Sequence, residues 1–477
     1  MIRDALGHPL AAVGGATLLT APWVLAWATG ASHGFAPLTT VAVSGLAVLG
    51  ASFLLAWAAE TAEEDVPRAF ALAVLAVLAV APEYAVDALY AWGAGAKGAT
   101  AATCADLSPA FVEQVAALPR TQIDTARETL ALGCHEGNLA VANMTGANRI
   151  LIGIGWAGIA AFTVWQARRT ADPAVEEREG WLANVVHLDR DLSTEIAFLL
   201  LATAWAFFVP LGGGIDALDM VLLVGLYATY IGIIIRADIE EETEHVGVPA
   251  HLQRYPGVAR VPLVLSLFAF SGFLILTAVE PFAHGLESLG TAIGVPPFFM
   301  IQWIAPLASE SPELIVVAVL VYKARSTAGF NALISSKLNQ WTLLIGTLVV
   351  VYSLALGQYG VLPFDTIQSG EIWITAAQSY FALALIANFT ISMREAVALF
   401  GLFISQVALE FLFLKVWRPV PDPKFELLMA YTVVYLVVGT ALFVRRRRAL
   451  GDLLRLAGNA ALEAVGRDPM EPKPGDD

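Results

Sequence analysis

Long apolar runs, separated by short polar or charged stretches, recur along the whole 477-residue chain. Twelve can be counted, at about 6–28, 39–59, 68–92, 138–166, 193–211, 216–235, 261–280, 296–322, 329–354, 371–390, 394–416 and 426–444. Each is near the ~20 residues that a helix needs to cross about 30 Å of hydrocarbon. The alternating ten-residue segments of a membrane β-barrel are absent. The pattern predicts an all-α polytopic membrane protein with about twelve transmembrane helices. The first run follows Arg3 and ends in "AWA" (26–28), which resembles a signal-peptide cleavage site. From Leu6 to Ala28 it is longer than the ~7–15 apolar residues of a signal peptide, so a retained membrane helix is expected.

Composition agrees with a chain whose main solvent is lipid. It is 57% hydrophobic and 14% charged, against roughly 25% charged residues in soluble domains. The formal charge of −15 comes largely from acidic loops such as "ETAEED" (60–65) and "IEEETE" (239–244). Basic residues are few and dispersed, which excludes a nucleic-acid footprint. Counted by alternate loops, nineteen Lys and Arg fall on one side and six on the other. The larger set includes Arg3 and the run Arg445 to Arg448. The positive-inside rule then puts both termini in the cytoplasm, in a cell or inner membrane.

Residues 93–137 become an insertion on the outer side. "SPAFVEQVAAL" (108–118) reads as a Ser-capped helix with Pro at its first position. "TQIDTARETLAL" (121–132) opens with a Thr-x-x-Asp variant of the capping box. His135 and Glu136 are expected in a solvated cap at the start of the next span. Cys104 and Cys134, the two cysteines, both lie in the insertion and form no CxxC pair. A disulfide between them is expected on the oxidising side, with two unpaired thiols as the alternative.

The chain also contains an internal repeat. "EDVPRAFALAVLAVLAVAPEYAVDALYAW" (64–92) matches "IGVPPFFMIQWIAPLASESPELIVVAVLVYK" (293–323), each with Val-Pro before the span and a Pro-Glu pair inside it. On the following helix, "ANMTGANRILIGIG" (142–155) matches "LISSKLNQWTLLIG" (333–346). By the loop count one repeat starts inside and the other outside, so five-helix repeats are inverted, with one extra helix at each end. The expected units are an N-terminal helix (1–38), a first repeat (39–235), a cytoplasmic linker (236–260), a second repeat (261–416), and a final helix with a charged cytoplasmic tail (417–477). Inverted repeats of broken helices with midplane polar groups are the signature of a secondary transporter.

An acid at the centre of a membrane helix costs about 2.5–3.5 kcal/mol, yet the matched segments hold four. Glu83 and Asp87 are spaced i,i+4, and Glu310 and Glu313 i,i+3, so each pair shares a helix face. Facing one cavity, they would form an oxygen-lined cation site. Pro82 and Pro312 leave the carbonyls of Leu78 and Ala308 without their helical donors. Asn143, Thr145, Asn148, Ser309, Ser335, Ser336 and Asn339 are candidate further ligands. The plainer reading of these side chains is interhelical hydrogen bonding, and of the prolines, kinks. Glu410, one or two turns from an outer end, is expected to make local hydrogen bonds or to snorkel to the interface. A passive channel would also use acid-lined helices. An intramembrane enzyme finds no support, because no GxSxG, HExxH or paired-Asp motif lies on a span.

The four motif segments resemble the sodium/calcium exchanger (cation/calcium antiporter) family. Its inverted repeats carry Gly-Thr-Ser-x-Pro-Glu and then, on the next helix, Gly-Asn-x-x-Gly-Ser-Asn. "AVAPE" (79–83) and "ASESPE" (308–313) stand at the first motif, "ANMTGAN" (142–148) and "LISSKLN" (333–339) at the second. The resemblance implies alternating-access antiport, with Glu83 and Glu313 as central metal ligands supported by Asn143, Asn148, Asn339 and Ser309. Asp87, Glu310 and Ser336 complete the candidate cation-binding set. Sodium or protons would exchange against calcium or another cation, with no resident cofactor and only the lipid bilayer and transported ions as partners. A Na+/H+ exchanger without calcium transport is the alternative. The sequence departs from the pattern at Ala79 and Val80, which replace hydroxyl residues, and at Glu310, which replaces Ser. Arg149 and Lys337 add positive charge inside the spans. They are read either as ion-pair partners of these acids or as a tethered cation that substitutes for a bound one; calcium itself favours six to eight oxygens.

Overall fold

A computed structural model describes residues 9–66, 81–118, 122–169, 172–236, 247–417 and 423–468. After α1 (Pro9–Thr29) come α2 (Pro37–Ala62), α3 (Ala81–Ala96), the short α4 (Ala101–Ala105) and α5 (Pro109–Ala116), α6 (Ala126–Ile150), α7 (Ala157–Ala167), α8 (Ser193–Ala206) and α9 (Ala217–Arg236). After the short α10 (Val248–Leu252) come α11 (Gly257–Ile293), α12 (Pro297–Trp303), α13 (Ala305–Tyr322), α14 (Ser326–Asn339), α15 (Ile345–Leu356), α16 (Thr366–Ile386) and α17 (Met393–Leu412). The chain ends in α18 (Lys424–Arg445) and α19 (Arg447–Ala464). Among the described residues, ten helical segments are long and apolar enough to cross a membrane. α16 is a further 21-residue helix, more polar than these ten. The run expected at 68–92 is described from Ala81 onward; Leu78, Ala79 and Val80 lie outside the described residues. The fold is therefore all-α and polytopic. Large apolar side chains such as Leu18, Leu25, Leu265 and Leu276 are exposed on the helices, as a lipid-facing surface requires.

The loops meet in pairs. Strands β1 (Val175–Glu176), β2 (Val185–His187) and β5 (Thr390–Ser392) form one small antiparallel sheet, in the order β1-β2-β5. β3 (Gly214–Ile215) pairs with β4 (Leu362–Pro363) in another. Arg260 forms an ion pair with Asp65 at 2.5 Å, and Lys415 Nζ donates to the Ile293 carbonyl at 2.6 Å. Each of these contacts joins loops that the alternating count puts on the same side. A strand ladder cannot reach across ~30 Å of hydrocarbon, so the contacts are an independent check on the alternation.

Four local expectations change. The capping box of α6 is Thr125 with Glu128, four residues beyond the Thr-x-x-Asp of the sequence reading. α6 then runs on without a break, so His135 and Glu136 are buried in its interior rather than in a solvated cap. Gly133 and Gly137 do not end the helix; they let Lys97, Ala99 and the Pro363 backbone pack close against it. In the second repeat the helix is interrupted at Ile304, between α12 and α13, whereas Pro312 lies inside a continuous α13. Finally, much of the expected tail is helix α19, an amphipathic segment that packs on α8 and α9.

One feature of the repeat motifs recurs in both halves. α6 passes into a π-helical stretch at Leu151–Trp156, and α14 does so at Gln340–Leu344. The π turns begin within three residues of Asn148 and Asn339, and such turns often mark functional sites. The motif helix of one half also touches the broken helix of the other at a glycine. A Cβ on Gly146 would lie 1.8 Å from the Gln302 carbonyl oxygen, the carbonyl whose helical donor Pro306 removes. Gly146→Ala is expected to destabilise the protein by about 1–3 kcal/mol through overpacking. A thermal melt in detergent reads this, and an unchanged midpoint would contradict the close approach.

Candidate functional site

Glu83 and Asp87 stand one turn apart at the start of α3, both buried. Facing them, α13 carries the buried Glu310 and the half-buried Glu313. Glu83 and Glu310 line the same cavity and are electrostatic neighbours. Other polar groups hold Glu310, Glu313 and Asp87 in place. Gln340 Nε2 donates to Glu310 Oε1 at 2.7 Å, and Ser336 Oγ to Glu313 Oε2 at 2.8 Å. Asn143 Nδ2 donates to Asp87 Oδ1 at 2.9 Å, and Tyr84 OH to Asn339 Oδ1 at 3.2 Å. These bonds leave Glu83 Oε1, Asp87 Oδ2, Asn143 Oδ1, Glu310 Oε2 and Glu313 Oε1 buried with no protein donor. Orphaned buried oxygens are costly, and a cation or a proton would satisfy them.

A cavity of about 280 Å³ reaches this cluster. Its walls include Glu83, Glu310, Glu313, Ser309, Ser335, Ser336 and Asn339. It extends past Tyr227 and Tyr230 to the half-exposed Glu60 and Glu63 at the end of α2. Asp87 and Asn143 are absent from its walls. Ser309 Oγ donates to the Pro306 carbonyl at 3.3 Å, and Thr145 bonds to its own helix backbone. Among the described residues, no three acidic, histidine or cysteine side chains are arranged to hold a metal ion. The acids are gathered but do not form a ready-made cage.

The two bases separate. Lys337 belongs to the site: its Nζ donates to Asn148 Oδ1 at 2.5 Å and sits 4.1 Å from the centroid of the Trp341 ring. Glu83 and Glu310 are charged neighbours of it. The Asn148 amide is thereby used twice, because its Nδ2 donates to the Met144 carbonyl at 2.8 Å. Arg149 does not pair with these acids, contrary to the ion-pair reading. It points the other way, forming a salt bridge of 2.8 Å to Glu371 on α16 and a hydrogen bond to Gln406 on α17. Lys424 extends this second network to Glu371 at 3.3 Å and Glu410 at 3.0 Å. Two cations and two carboxylates balance, so Arg149 adds little to the charge at the cavity. Gln340 and Tyr84 escaped the sequence reading, although both adjoin motif residues. Glu371 and Gln406 lie over 200 residues from Arg149, and no local pattern joins them.

In the 93–137 insertion, Cys104 and Cys134 are joined by a disulfide with Cα atoms 5.7 Å apart, which ties α4 to α6. Ser108 caps α5 by accepting from the Phe111 N–H.

The inverted repeats, the broken helix and a carboxyl-lined cavity together have the architecture of a membrane transporter. A family model described as sodium/calcium exchanger protein matches residues 263–412. The solved structure of an H+/Ca2+ exchanger, CAX, is 40% identical, with a TM-score of 0.76; the match covers 95% of this chain and 98% of that one. A Ca2+/H+ antiporter, YfkE, shares the fold at 13% identity and a TM-score of 0.51, over 83% of this chain and 98% of its own. Among curated proteins no match is found. The chain belongs to the sodium/calcium exchanger (cation/calcium antiporter) family.

Proposed function

We propose that this protein exchanges Ca2+ against protons by alternating access to the Glu83–Glu310–Glu313 site. The gathering of Glu83, Glu310 and Glu313 around one cavity, each with a buried oxygen that has no protein donor, is the observation that carries the reading. Buried carboxylates gathered in this way do not all ionise unless a proton or a cation lies among them. Protons would occupy the acids when Ca2+ is absent, and Ca2+ would displace them on entry. Lys337 supports the same reading, because a buried amine lowers the number of counter-ions that the empty site requires. A proton needs no further ligands than the acids themselves. The similarity to an H+/Ca2+ exchanger at 40% identity points the same way.

Calcium favours six to eight oxygens at 2.3–2.6 Å. The five orphaned oxygens, with Ser309, Ser336 and the carbonyl left free by Pro312, supply enough atoms once the helices close around the ion. In the orientation given by the basic loops, the cavity past Glu60 and Glu63 is the cytoplasmic entrance. The test is a flux screen with purified protein in liposomes. A pH gradient is expected to drive Ca2+ uphill, and a Na+ gradient at constant pH is not. Flux that follows only the Na+ gradient would replace the proton with sodium. Flux that no counter-gradient drives uphill would indicate a channel.

A further inference from the structure

We propose that Glu287, with His135, His284 and Tyr90, forms a second proton-binding station, on the opposite side of the carboxylate site from the cavity. The proposal rests on the proton-exchange reading above and adds the route by which protons reach the site from the outer face. Glu287 is buried near the outer end of α11 and accepts a hydrogen bond from Tyr90 OH at 3.0 Å. His135 Nε2 of α6 lies 3.8 Å from one Glu287 oxygen, and His284 Nδ1 lies 3.9 Å from the other. The Tyr90 and His284 rings stack, with centroids 6.5 Å apart. Two imidazoles on a single buried carboxylate are an uncommon expense in a membrane protein.

Position gives the cluster its role. Tyr90 is one turn beyond Asp87 on α3, and Asp87 is one turn beyond Glu83. His135 is likewise about two turns from Asn143, the partner of Asp87. A ladder of polar groups thus leads from the carboxylate site toward the outer face. Apolar side chains such as Val86, Ala91 and Leu139, all buried, close it in this conformation. Among the described residues, the Lys97–Glu136 pair, at 2.6 Å, adjoins this level, its carboxylate occupying the space left by Gly93. α2 packs along α11, but its one described acid in the helical span, Glu60, is at the other end. α12 brings no ionisable side chain, and α15 brings Tyr352, which donates to the Ala99 carbonyl.

The proton comes from outer water onto an imidazole and passes to the Glu287 carboxylate, which leaves the imidazole neutral. It moves on to Asp87 when the ladder opens. Histidine suits the task because it titrates in the range of ordinary outer pH.

The test is Ca2+ flux by the full chain in liposomes, with pH varied separately on each face. Sidedness is fixed by labelling the reduced Cys104 and Cys134. Wild type is expected to show a limb with a midpoint at about pH 6–7, controlled by pH on the cysteine-bearing face. Glu287→Gln and the double change His135→Gln, His284→Gln are each expected to move that midpoint by about one unit or more. His284→Gln alone, at a half-buried position, serves if the double variant does not fold. Unchanged pH profiles in folded variants would overturn the station and leave the carboxylate site standing. A wild type without proton-driven Ca2+ flux would overturn both.

Discussion

Glu83→Gln and Glu313→Gln, each reconstituted in liposomes, are expected to lose Ca2+ flux by at least about a hundredfold, which corresponds to roughly 3 kcal/mol. The substitution keeps shape and removes charge. Glu83 and Glu313 have one oxygen each with no protein donor, and those are the atoms a cation would claim. A divalent ion beside a unit charge in a medium of effective dielectric about 20 gains several kcal/mol, so losing one carboxylate exceeds the required margin. Folding should survive, since Gln removes a buried acid and can still accept from Ser336 at position 313. Flux within about twofold of wild type, in variants with normal yield, would remove these acids from the transport site.

Lys337→Met carries the second large effect, of opposite sign in binding. The ammonium is fully buried, bonded to Asn148 and close to Glu83 and Glu310. Methionine fills a similar volume and leaves the acids with no tethered counter-charge. A unit charge about 6 Å from a divalent ion repels it by several kcal/mol at an effective dielectric near 20. The Kd for Ca2+ should therefore fall by about tenfold or more, while turnover slows because the ion is released less readily. The pH dependence of binding should change as well. A purely structural lysine would give a different result: loss of folding, or a folded variant whose Kd and pH dependence both match wild type.

Much of this was legible from one-dimensional signals. Apolar length gave the spans, because lipid penalises polar residues wherever they occur. The four acids were conspicuous for the same reason. Distances between remote segments were not legible. Arg149 is 222 residues from Glu371, and only the fold shows that it faces away from Lys337. The helix break was misplaced because Pro312 is a strong local signal, whereas Ile304 is an ordinary apolar residue. The break depends on Pro306 and on packing against Gly146. His135 and Glu136 resembled a solvated cap because two glycines flank them, and glycine marks a helix end as readily as a tight contact. α19 was missed because its charge density reads as a tail, although its apolar side packs on α8 and α9.

The paired loops have a mechanical consequence. β2 follows the first repeat's motif helix and β5 precedes the second repeat's last helix. β3 and β4 likewise come from different repeats, on the other face. The two halves are thus laced together at top and bottom, like a book stitched along both edges. Whatever movement carries an ion from one face to the other has to happen between these seams.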